Sequence, residues 1–292
     1  MMRRRSLAGL GIGLAHAARA EAGPSRIVSV GGALTETVFA LGAGEKVLAV
    51  DSTSRFPAAC ATLPQIGYMR SLPTEGIVGI NPDLLLLSGD AGPPEVVQVL
   101  RAARLPITQV SDGAGPDAAP GKARAVAAAL GRDGEALARA LAADWAMLDA
   151  PLAAARLRPR VIFVLSLARG APLVSGRGTH ADAMITAAGG ENPVRNFEGY
   201  RPLSAEAAAM LAPDGILMMD HALAEAGGPG PALNTPALAV TPAARHGRIL
   251  AFDGAFLLNF GPRAAHARLA LARALHPGLA LPDLPERPWT AG

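Results

Sequence analysis

Cysteine, aromatic side chains and enzyme motifs are all scarce in this sequence. Cys60 is the one cysteine among 292 residues, so no internal disulfide forms and no CxxC redox or zinc motif exists. Six histidines are scattered without the spacing of metal ligands. Neither a G-x-S-x-G nucleophile elbow nor an H-E-x-x-H motif occurs. The common signatures of hydrolases and metalloenzymes are therefore missing.

Nucleotide-binding fingerprints are missing as well. Residues 27–30 form a β-branched run, followed by Gly31-Gly32 and a helical stretch, which is the order strand, turn, helix. The G-x-G-x-x-G fingerprint is absent there, and no Gly-Lys-Ser/Thr completes a P-loop. A two-lobe α/β enzyme that uses a nucleotide stays open as an alternative, but its fingerprint is lacking.

The basic charge is confined to the N-terminus. The chain has 27 basic and 24 acidic side chains, but residues 1–20 contain four of the arginines and no acid. Without that segment 23 basic side chains face 24 acidic ones, a net charge of −1. The sequence pI of about 9.6 therefore does not predict binding to nucleic acid.

Residues 1–20 are typical of an export signal. Arg3-Arg4-Arg5 is the charged start, residues 7–18 are a short apolar stretch, and Ala18-Arg19-Ala20 fits a cleavage site. A dozen apolar residues are too few to span a bilayer, which takes roughly 20. We predict a cleaved signal peptide, with Sec and twin-arginine export both open, and a mature protein outside the cytoplasm.

Strands and helices alternate in both halves of the mature chain. Apolar runs at residues 27–30, 47–50, 84–87 and 107–110 are separated by helical stretches, and the pattern restarts at residues 161–165. Alternation of this kind favours parallel sheets. We predict an α/β fold of two Rossmann-like lobes with parallel sheets, at residues 21–116 and 159–280, followed by a tail at residues 281–292.

An alanine-rich stretch at residues 117–158 separates the lobes. Within it, residues 135–156 are predicted to form one helix about 33 Å long, at roughly 1.5 Å per residue. The second half also repeats the first. Tyr68, Glu75, Pro82-Asp83 and an apolar run are matched by Tyr200, Glu206, Pro213-Asp214 and another apolar run. This shared order predicts duplicated lobes.

Two lobes joined by a helix create a cleft, where α/β proteins bind ligands beyond the carboxyl ends of their strands. Tyr68 and Tyr200 are the two tyrosines of the chain, and each is followed closely by an arginine, Arg70 or Arg201. A phenolate can ligate ferric iron, and a neighbouring cation favours the ionised form. The alternative for Tyr68 is a half-buried side chain that packs on the lobe surface.

Other polar residues follow predicted strand ends. His180 could be a second metal ligand or could lie at a helix start. His221 could contact a ligand or end a strand, and Arg177 and Arg201 could pair with ligand carboxylates. Glu75 and Glu206 begin predicted helices, where the helix dipole favours a negative charge. The repeat also suggests one acidic contact per lobe for a partner.

Several segments resemble the haemin-binding periplasmic proteins of bacterial ABC importers, which belong to the helical-backbone type of substrate-binding protein that also includes vitamin B12 and siderophore carriers. The resemblance covers nearly all of residues 24–277, and Gly67-Tyr68-Met69-Arg70 is its most specific part. The other matching segments are residues 26–32 with Thr35-Glu36, 75–77, 81–84, 178–184, 199–206 and 260–263.

This resemblance implies a non-enzymatic, monomeric carrier of one ferric haem in the periplasm, with Tyr68 as the axial iron ligand and Arg70 as its support. It also implies that Glu75 and Glu206 dock onto arginines of a permease, which works with an ATPase at the inner membrane. Relatives often have an arginine near the position of His221. His180 leaves a second ligand or stacked haems open.

The nearest alternative is the same fold with a corrinoid or a ferric siderophore as its ligand. Neither ligand would need the Tyr68 phenolate, and a siderophore complex would lack the Soret band of haem. Haem number, the sixth iron ligand and the identity of the permease stay open at this point.

Overall fold

The computed structural model describes residues 23–167 and 171–291. The predicted signal peptide, residues 1–20, lies outside the described residues. Within them, no helix is both long enough and apolar enough to cross a membrane.

The first lobe is built on a parallel sheet with the strand order β2-β1-β3-β4. Every residue of β3 is buried, as expected for a leucine run covered by helices on both faces. Glycine turns and prolines separate the strands from the helices, at the places that the sequence pattern predicts. The elements are β1 (Ile27–Val30), α1 (Gly32–Ala40), β2 (Val47–Val50), α2 (Thr74–Ile80), β3 (Leu84–Ser88), α3 (Pro94–Ala102) and β4 (Ile107–Val110).

The connector consists of three helices, α4 (Ala118–Ala129), α5 (Glu135–Ala146) and α6 (Asp149–Ala153). The predicted single helix over residues 135–156 is therefore wrong, because the chain turns at Met147-Leu148. Pro151 explains the break: its ring clashes with the carbonyl four residues earlier, at Met147, and it has no N–H to donate. At the turn, the Leu148 amide donates to the Trp145 carbonyl at 3.3 Å, three residues back rather than the four of an α-helix.

Helix α4 joins the two cores. Val126 and Leu130, at its C-terminal end, pack in the part of the first lobe's core that contains α1. Ala119 and Ala123 pack in the core of the second lobe. Small alanine side chains allow the close approach of α5, which lies against α4. One helix thus contributes buried residues to both lobes.

The second lobe has a mixed sheet with the order β7-β6-β5-β8-β9. Strands β5, β8 and β9 are parallel, as predicted, whereas β6 is antiparallel to both β5 and β7. The link from β5 to β6 is shorter than the dozen or so residues that a parallel crossover needs. The elements are β5 (Val161–Ser166), β6 (Leu173–Ser175), α7 (His180–Ala187), β7 (Tyr200–Pro202), α8 (Ala205–Leu211), β8 (Gly215–Met219), α9 (Asp220–Glu225), α10 (Pro229–Leu233), α11 (Pro236–Ala239), α12 (Pro242–Arg245), β9 (Ile249–Phe252), α13 (Gly254–Leu258) and α14 (Ala264–Leu275).

The repeat in the sequence corresponds to a repeated set of hydrogen bonds. In the first lobe the Asp83 carboxylate accepts a bond from the Arg26 amide at 2.7 Å, just before β1. In the second lobe the Asp214 carboxylate accepts one from the Arg160 amide at 2.8 Å, just before β5. Asp83 directly precedes β3, which pairs with β1, and Asp214 directly precedes β8, which pairs with β5. The Pro-Asp element of the repeat therefore aligns equivalent strand pairs.

The same two arginines also hold equivalent helices. The Arg26 guanidinium donates to the Ile80 carbonyl at 2.6 Å, at the end of α2. The Arg160 guanidinium donates to the Leu211 carbonyl at 2.9 Å, at the end of α8. A cation at a helix C-terminus satisfies orphan carbonyls and is favoured by the dipole. These bonds fix the helices that carry Glu75 and Glu206.

Buried polar contacts join the lobes. Glu36 on α1 accepts two hydrogen bonds from Arg263, at 2.7 and 3.0 Å, across the lobe boundary. Lys122 on α4 lies 3.0 Å from the Asp112 carboxylate and donates to the Asn259 carbonyl at 2.8 Å. Burial lowers the pKa of Lys122, and Asp112 opposes this shift. The lobes are thus tied together at charged side chains with little access to water.

The predicted tail packs onto the protein. Arg287 donates two hydrogen bonds to the buried carboxylate of Asp144 on α5, at 2.6 and 3.0 Å. Its guanidinium also lies 5.7 Å from the ring centroid of Trp289, which packs on the core of the second lobe. The described part of residues 281–292 therefore belongs to the folded structure.

Candidate functional site

Tyr68 projects from a tight loop at one edge of the first lobe. The Ser52 amide donates to the Gly67 carbonyl and the Ser71 amide to the Tyr68 carbonyl, both at 2.8 Å. Gly67 has φ +94°, which glycine tolerates much better than other residues do. Met69 is buried in the core of the lobe, while Tyr68 is 44% exposed. The loop is therefore anchored by Met69 and presents the phenol to solvent.

Arg70 contacts both the phenol and a carboxylate. Its Nη1 donates to the Tyr68 oxygen at 3.0 Å, and its Nη2 donates to Asp90 Oδ2 at 2.6 Å. The bond to Asp90 raises the pKa of the Arg70 guanidinium; partial burial opposes this shift, and the phenol adds to it. The structure thus aligns a phenol, a guanidinium and a carboxylate.

Asp90 is the site residue that the sequence analysis missed. It lies two residues beyond the end of β3. The Gly92 amide donates to the Met69 carbonyl at 2.9 Å, and the Leu72 amide donates to the Gly92 carbonyl at 3.0 Å. These bonds join the loop of Asp90 to the loop of Tyr68. An acid just after a buried strand was the available signal.

Tyr200 differs from Tyr68 in its surroundings. It lies on β7, partly buried, with its ring centroid 6.4 Å from that of Phe163 in an edge-to-face arrangement. Burial raises the pKa of its phenol, while the Thr179 hydroxyl and the charge of Arg70 oppose this shift. Tyr200 belongs to the second lobe, whereas Arg70 belongs to the first. Its burial, however, favours a neutral phenol that packs on its own lobe.

His180 lies at the start of α7, which Thr179 caps by accepting a bond from the Asp182 amide at 3.0 Å. Its Nε2 is 4.0 Å from Asp112 Oδ2, and its ring centroid is 5.5 Å from that of Phe260. His180 is partly buried and lies beside the contacts that join the lobes. The same Asp112 carboxylate pairs with Lys122.

The other predicted polar contacts lie apart from the Tyr68 loop. Arg177 approaches Glu198 at 3.4 Å, and the Arg201 guanidinium lies 5.3 Å from the ring centroid of Phe197. His221 is exposed near the start of α9, beyond the carboxyl end of β8. All three are on the second lobe, and the two arginines are exposed.

Glu75 and Glu206 occupy equivalent positions. Each is exposed and lies in the first turn of a seven-residue helix, α2 or α8. Ser204 caps α8 by accepting a bond from the Ala207 amide at 3.2 Å. The backbone amide of Glu206 and the Ser204 hydroxyl lower the pKa of Glu206. Among the described residues, no group of three or more His, Cys, Asp or Glu side chains could hold a metal ion.

The haem-binding relatives have the same fold. The periplasmic haem-binding protein BhuT, solved with two haems, is 40% identical with a TM-score of 0.82, over 87% of this chain and 99% of that one. RhuT from Roseiflexus sp. RS-1, in apo form, is 40% identical with a TM-score of 0.84 over the same shares. A periplasmic haem-binding protein from Pseudomonas aeruginosa is 34% identical with a TM-score of 0.80, over 89% and 96%. The predicted fold class and the resemblance are confirmed.

A shorter match links the chain to vitamin B12-binding proteins. The protein from Pectobacterium carotovorum is 30% identical over 95 residues, so the match spans about a third of that relative's length, 34%, and 32% of this chain. The family model for periplasmic binding proteins matches residues 27–255. The family and the solved relatives are binding proteins, so this chain is a binding protein and not an enzyme. It belongs to the periplasmic binding protein family.

Proposed function

We propose that this protein binds ferric haem in the cleft between its lobes and delivers it to an ABC permease at the inner membrane. The observation that carries the proposal is the exposed Tyr68 phenol with the Arg70 guanidinium 3.0 Å from its oxygen. The haem-binding relatives at 34–40% identity support the same ligand.

The chemistry of Tyr68 suits ferric iron. A phenolate is an anionic oxygen ligand, and tyrosine is an established axial ligand of ferric haem. The positive charge of Arg70 stabilises the negative oxygen that iron requires. Tyr68 would supply one iron ligand and the porphyrin nitrogens four, which leaves one position open. A single bond from a loop residue also allows release to a permease.

The second lobe would complete the pocket. Tyr200 offers a partly buried aromatic ring, while Arg177, Arg201 and His221 offer polar groups for the haem propionates. His180 is our candidate for a second ligand, or for the ligand of a second haem, as BhuT holds two. Ligation by His180 would require its ring to compete with the nearby Asp112 carboxylate, 4.0 Å away.

Delivery would use the exposed ends of α2 and α8. We propose that Glu75 and Glu206 contact arginines of the permease, which works with an ATPase, and that the protein acts as a monomer. Exposed apolar side chains lie one helical turn from each glutamate: Val78 is 40% and Met210 is 85% exposed. Each acidic contact thus has an apolar neighbour that a protein partner could cover.

The proposed location is the periplasm. Family membership agrees with an exported protein, and residues 1–20 have the composition of a cleavable signal. Mass determination of the exported protein would test the cleavage site after Ala20, and a variant with Arg4-Arg5 changed to Lys-Lys would distinguish twin-arginine from Sec export.

Titration with ferric haemin, followed by the visible spectrum, tests the ligand. We expect saturation near one haem per chain, with a high-spin phenolate charge-transfer band that Tyr68→Ala removes. Tyr200→Ala is the matched control and should retain the band. An absence of specific haemin binding by the wild type would refute the haem proposal. An unchanged band in Tyr68→Ala would refute Tyr68 as the ligand and direct attention to His180.

The second candidate ligand is a corrinoid, favoured by the match to vitamin B12-binding proteins. A corrinoid brings its own cobalt ligands and would not need the phenolate. Competition between cyanocobalamin and haemin for the wild-type protein separates the two, because the preferred ligand displaces the other. A ferric siderophore would bind without a Soret band.

A further inference from the structure

We infer that Asp90 sets the electron donation of Tyr68 to bound iron, acting through Arg70. The inference rests on the proposed function and concerns a residue that no sequence motif pointed out. Asp90 is an exposed carboxylate directly after β3, and its partner in the structure is Arg70 at 2.6 Å.

The geometry gives Arg70 two different acceptors. Its Nη1 donates to the Tyr68 phenol oxygen at 3.0 Å, whereas its Nη2 donates to the Asp90 carboxylate at 2.6 Å. The shorter bond joins two opposite charges, and a hydrogen bond between two ionised groups is usually stronger than one to an uncharged acceptor. Asp90 therefore holds the guanidinium in place and also offsets its positive charge beside the phenol oxygen.

The ion pair becomes more important once a ligand covers it. The side chains of Arg70 and Asp90 are 57% and 47% exposed, so water screens the pair in the free protein. A flat apolar ligand that binds Tyr68 excludes this water, and electrostatic interactions strengthen as the local dielectric constant falls. The charge of Asp90 is then felt at the phenolate.

The direction of the effect follows from charge. A more positive environment stabilises the electrons of the phenolate and weakens their donation to Fe(III). Without the charge of Asp90, the phenolate-to-iron charge-transfer band should move to shorter wavelength, and the Fe(III)/Fe(II) midpoint potential should become more positive. With Asp90 present, phenolate donation is strong and the ferric state is favoured. Asp90 is thus a positioning residue that helps to select the oxidation state.

The test compares Asp90→Asn with Arg70→Met in the haemin complex. Asparagine can still accept a bond from Arg70 through its amide oxygen, so the geometry is retained while the charge is lost. We expect Asp90→Asn to move the band to shorter wavelength and the potential upward. We expect Arg70→Met, which removes a positive charge, to move both in the opposite direction.

Two further variants complete the design. Asp90→Glu keeps the charge and should restore the wild-type spectrum. Glu95→Gln removes an exposed charge from α3 in the same lobe and should leave band and potential unchanged. If Asp90→Asn moves the band and the potential in the same direction as Arg70→Met does, the variant has lost the effect of Arg70. Asp90 would then only hold Arg70 in place, and the inference would be wrong. An unshifted band also overturns it. A missing phenolate band in a wild-type protein that binds haemin overturns ligation by Tyr68 and the inference with it, while an absence of haemin binding overturns the proposed function itself.

Discussion

Glu36 and Arg263, 227 residues apart in the sequence, form a two-point ion pair at the boundary between the lobes. The side chains are 4% and 14% exposed, and the Arg263 guanidinium also lies 3.7 Å from the ring centroid of Phe56. A pair of this kind resists lobe separation, because opening it would expose an aromatic contact and break two short bonds.

Arg263→Met should destabilise the protein strongly. The change leaves the Glu36 carboxylate buried without its partner, which typically costs about 3–5 kcal/mol. Urea unfolding measures the free energy. The control is Arg273→Met, because Arg273 pairs with an Asp283 side chain that is 93% exposed, and such pairs contribute about 1 kcal/mol or less. Equal losses in both variants would contradict the role of the buried pair.

The stability of Arg263→Met should also depend on pH in a defined direction. Burial raises the pKa of Glu36 in the folded protein, while the hydrogen bond and charge of Arg263 oppose this shift. A raised carboxyl pKa gives stability that is present below the unfolded value of about 4.3 and lost as pH rises through the folded value. Without Arg263, lowering the pH towards 4 should therefore recover part of the loss. Unfolding curves between pH 4 and 8 would detect it.

Gly32→Ala should strain the boundary between the lobes. A Cβ at Gly32 would lie 2.5 Å from Asn259 Nδ2 and 2.6 Å from the Thr53 carbonyl oxygen. The amide can rotate, but the carbonyl belongs to the backbone, so we expect a loss of about 1–3 kcal/mol. Gly79→Ala is the control, since nothing lies within 4 Å of its Cβ. A Gly32→Ala protein as stable as the wild type would show that the boundary adjusts freely.

Asp83→Asn should reduce the stability of the first lobe at neutral pH more than at pH 3. Partial burial would raise the Asp83 pKa, but bonds from the Ser25 and Arg26 amides outweigh it and lower the pKa. A lowered pKa contributes stability above the unfolded value of about 3.9, which is lost as pH falls through the folded value. Thermal unfolding across pH 3–7 tests this. A deficit that does not change with pH would argue against the carboxylate.

Much of the fold could be predicted because its signals are local. The leucine run of β3 and the β-branched run of β1 predict buried strands, and both are buried throughout. Pro151 carried a local signal too, which the alanine-rich helical pattern around it obscured. The antiparallel direction of β6 could not be predicted in this way, because the pairing of this three-residue strand with β5 depends on tertiary structure and not on a local pattern.

The site was only partly predictable for a related reason. Tyr68 and Arg70 are two residues apart, so their contact could be inferred from the sequence. Asp90 reaches Arg70 from another loop, 20 residues later, and His180 faces Asp112 from the other lobe. Such contacts depend on how strand ends and lobes meet, and no periodicity in the sequence encodes that meeting.

Cys60 should report on the boundary between the lobes. Its side chain is fully buried, its thiol donates to the Phe56 carbonyl at 3.3 Å, and burial together with the charge of Glu36 raises its pKa to about 11. At neutral pH the reactive thiolate is then on the order of one part in 10⁴, so alkylation by iodoacetamide should be very slow. Arg263→Met removes the contact with the Phe56 ring and should accelerate labelling, whereas Arg273→Met should not. Rapid labelling of the wild type would contradict this packing.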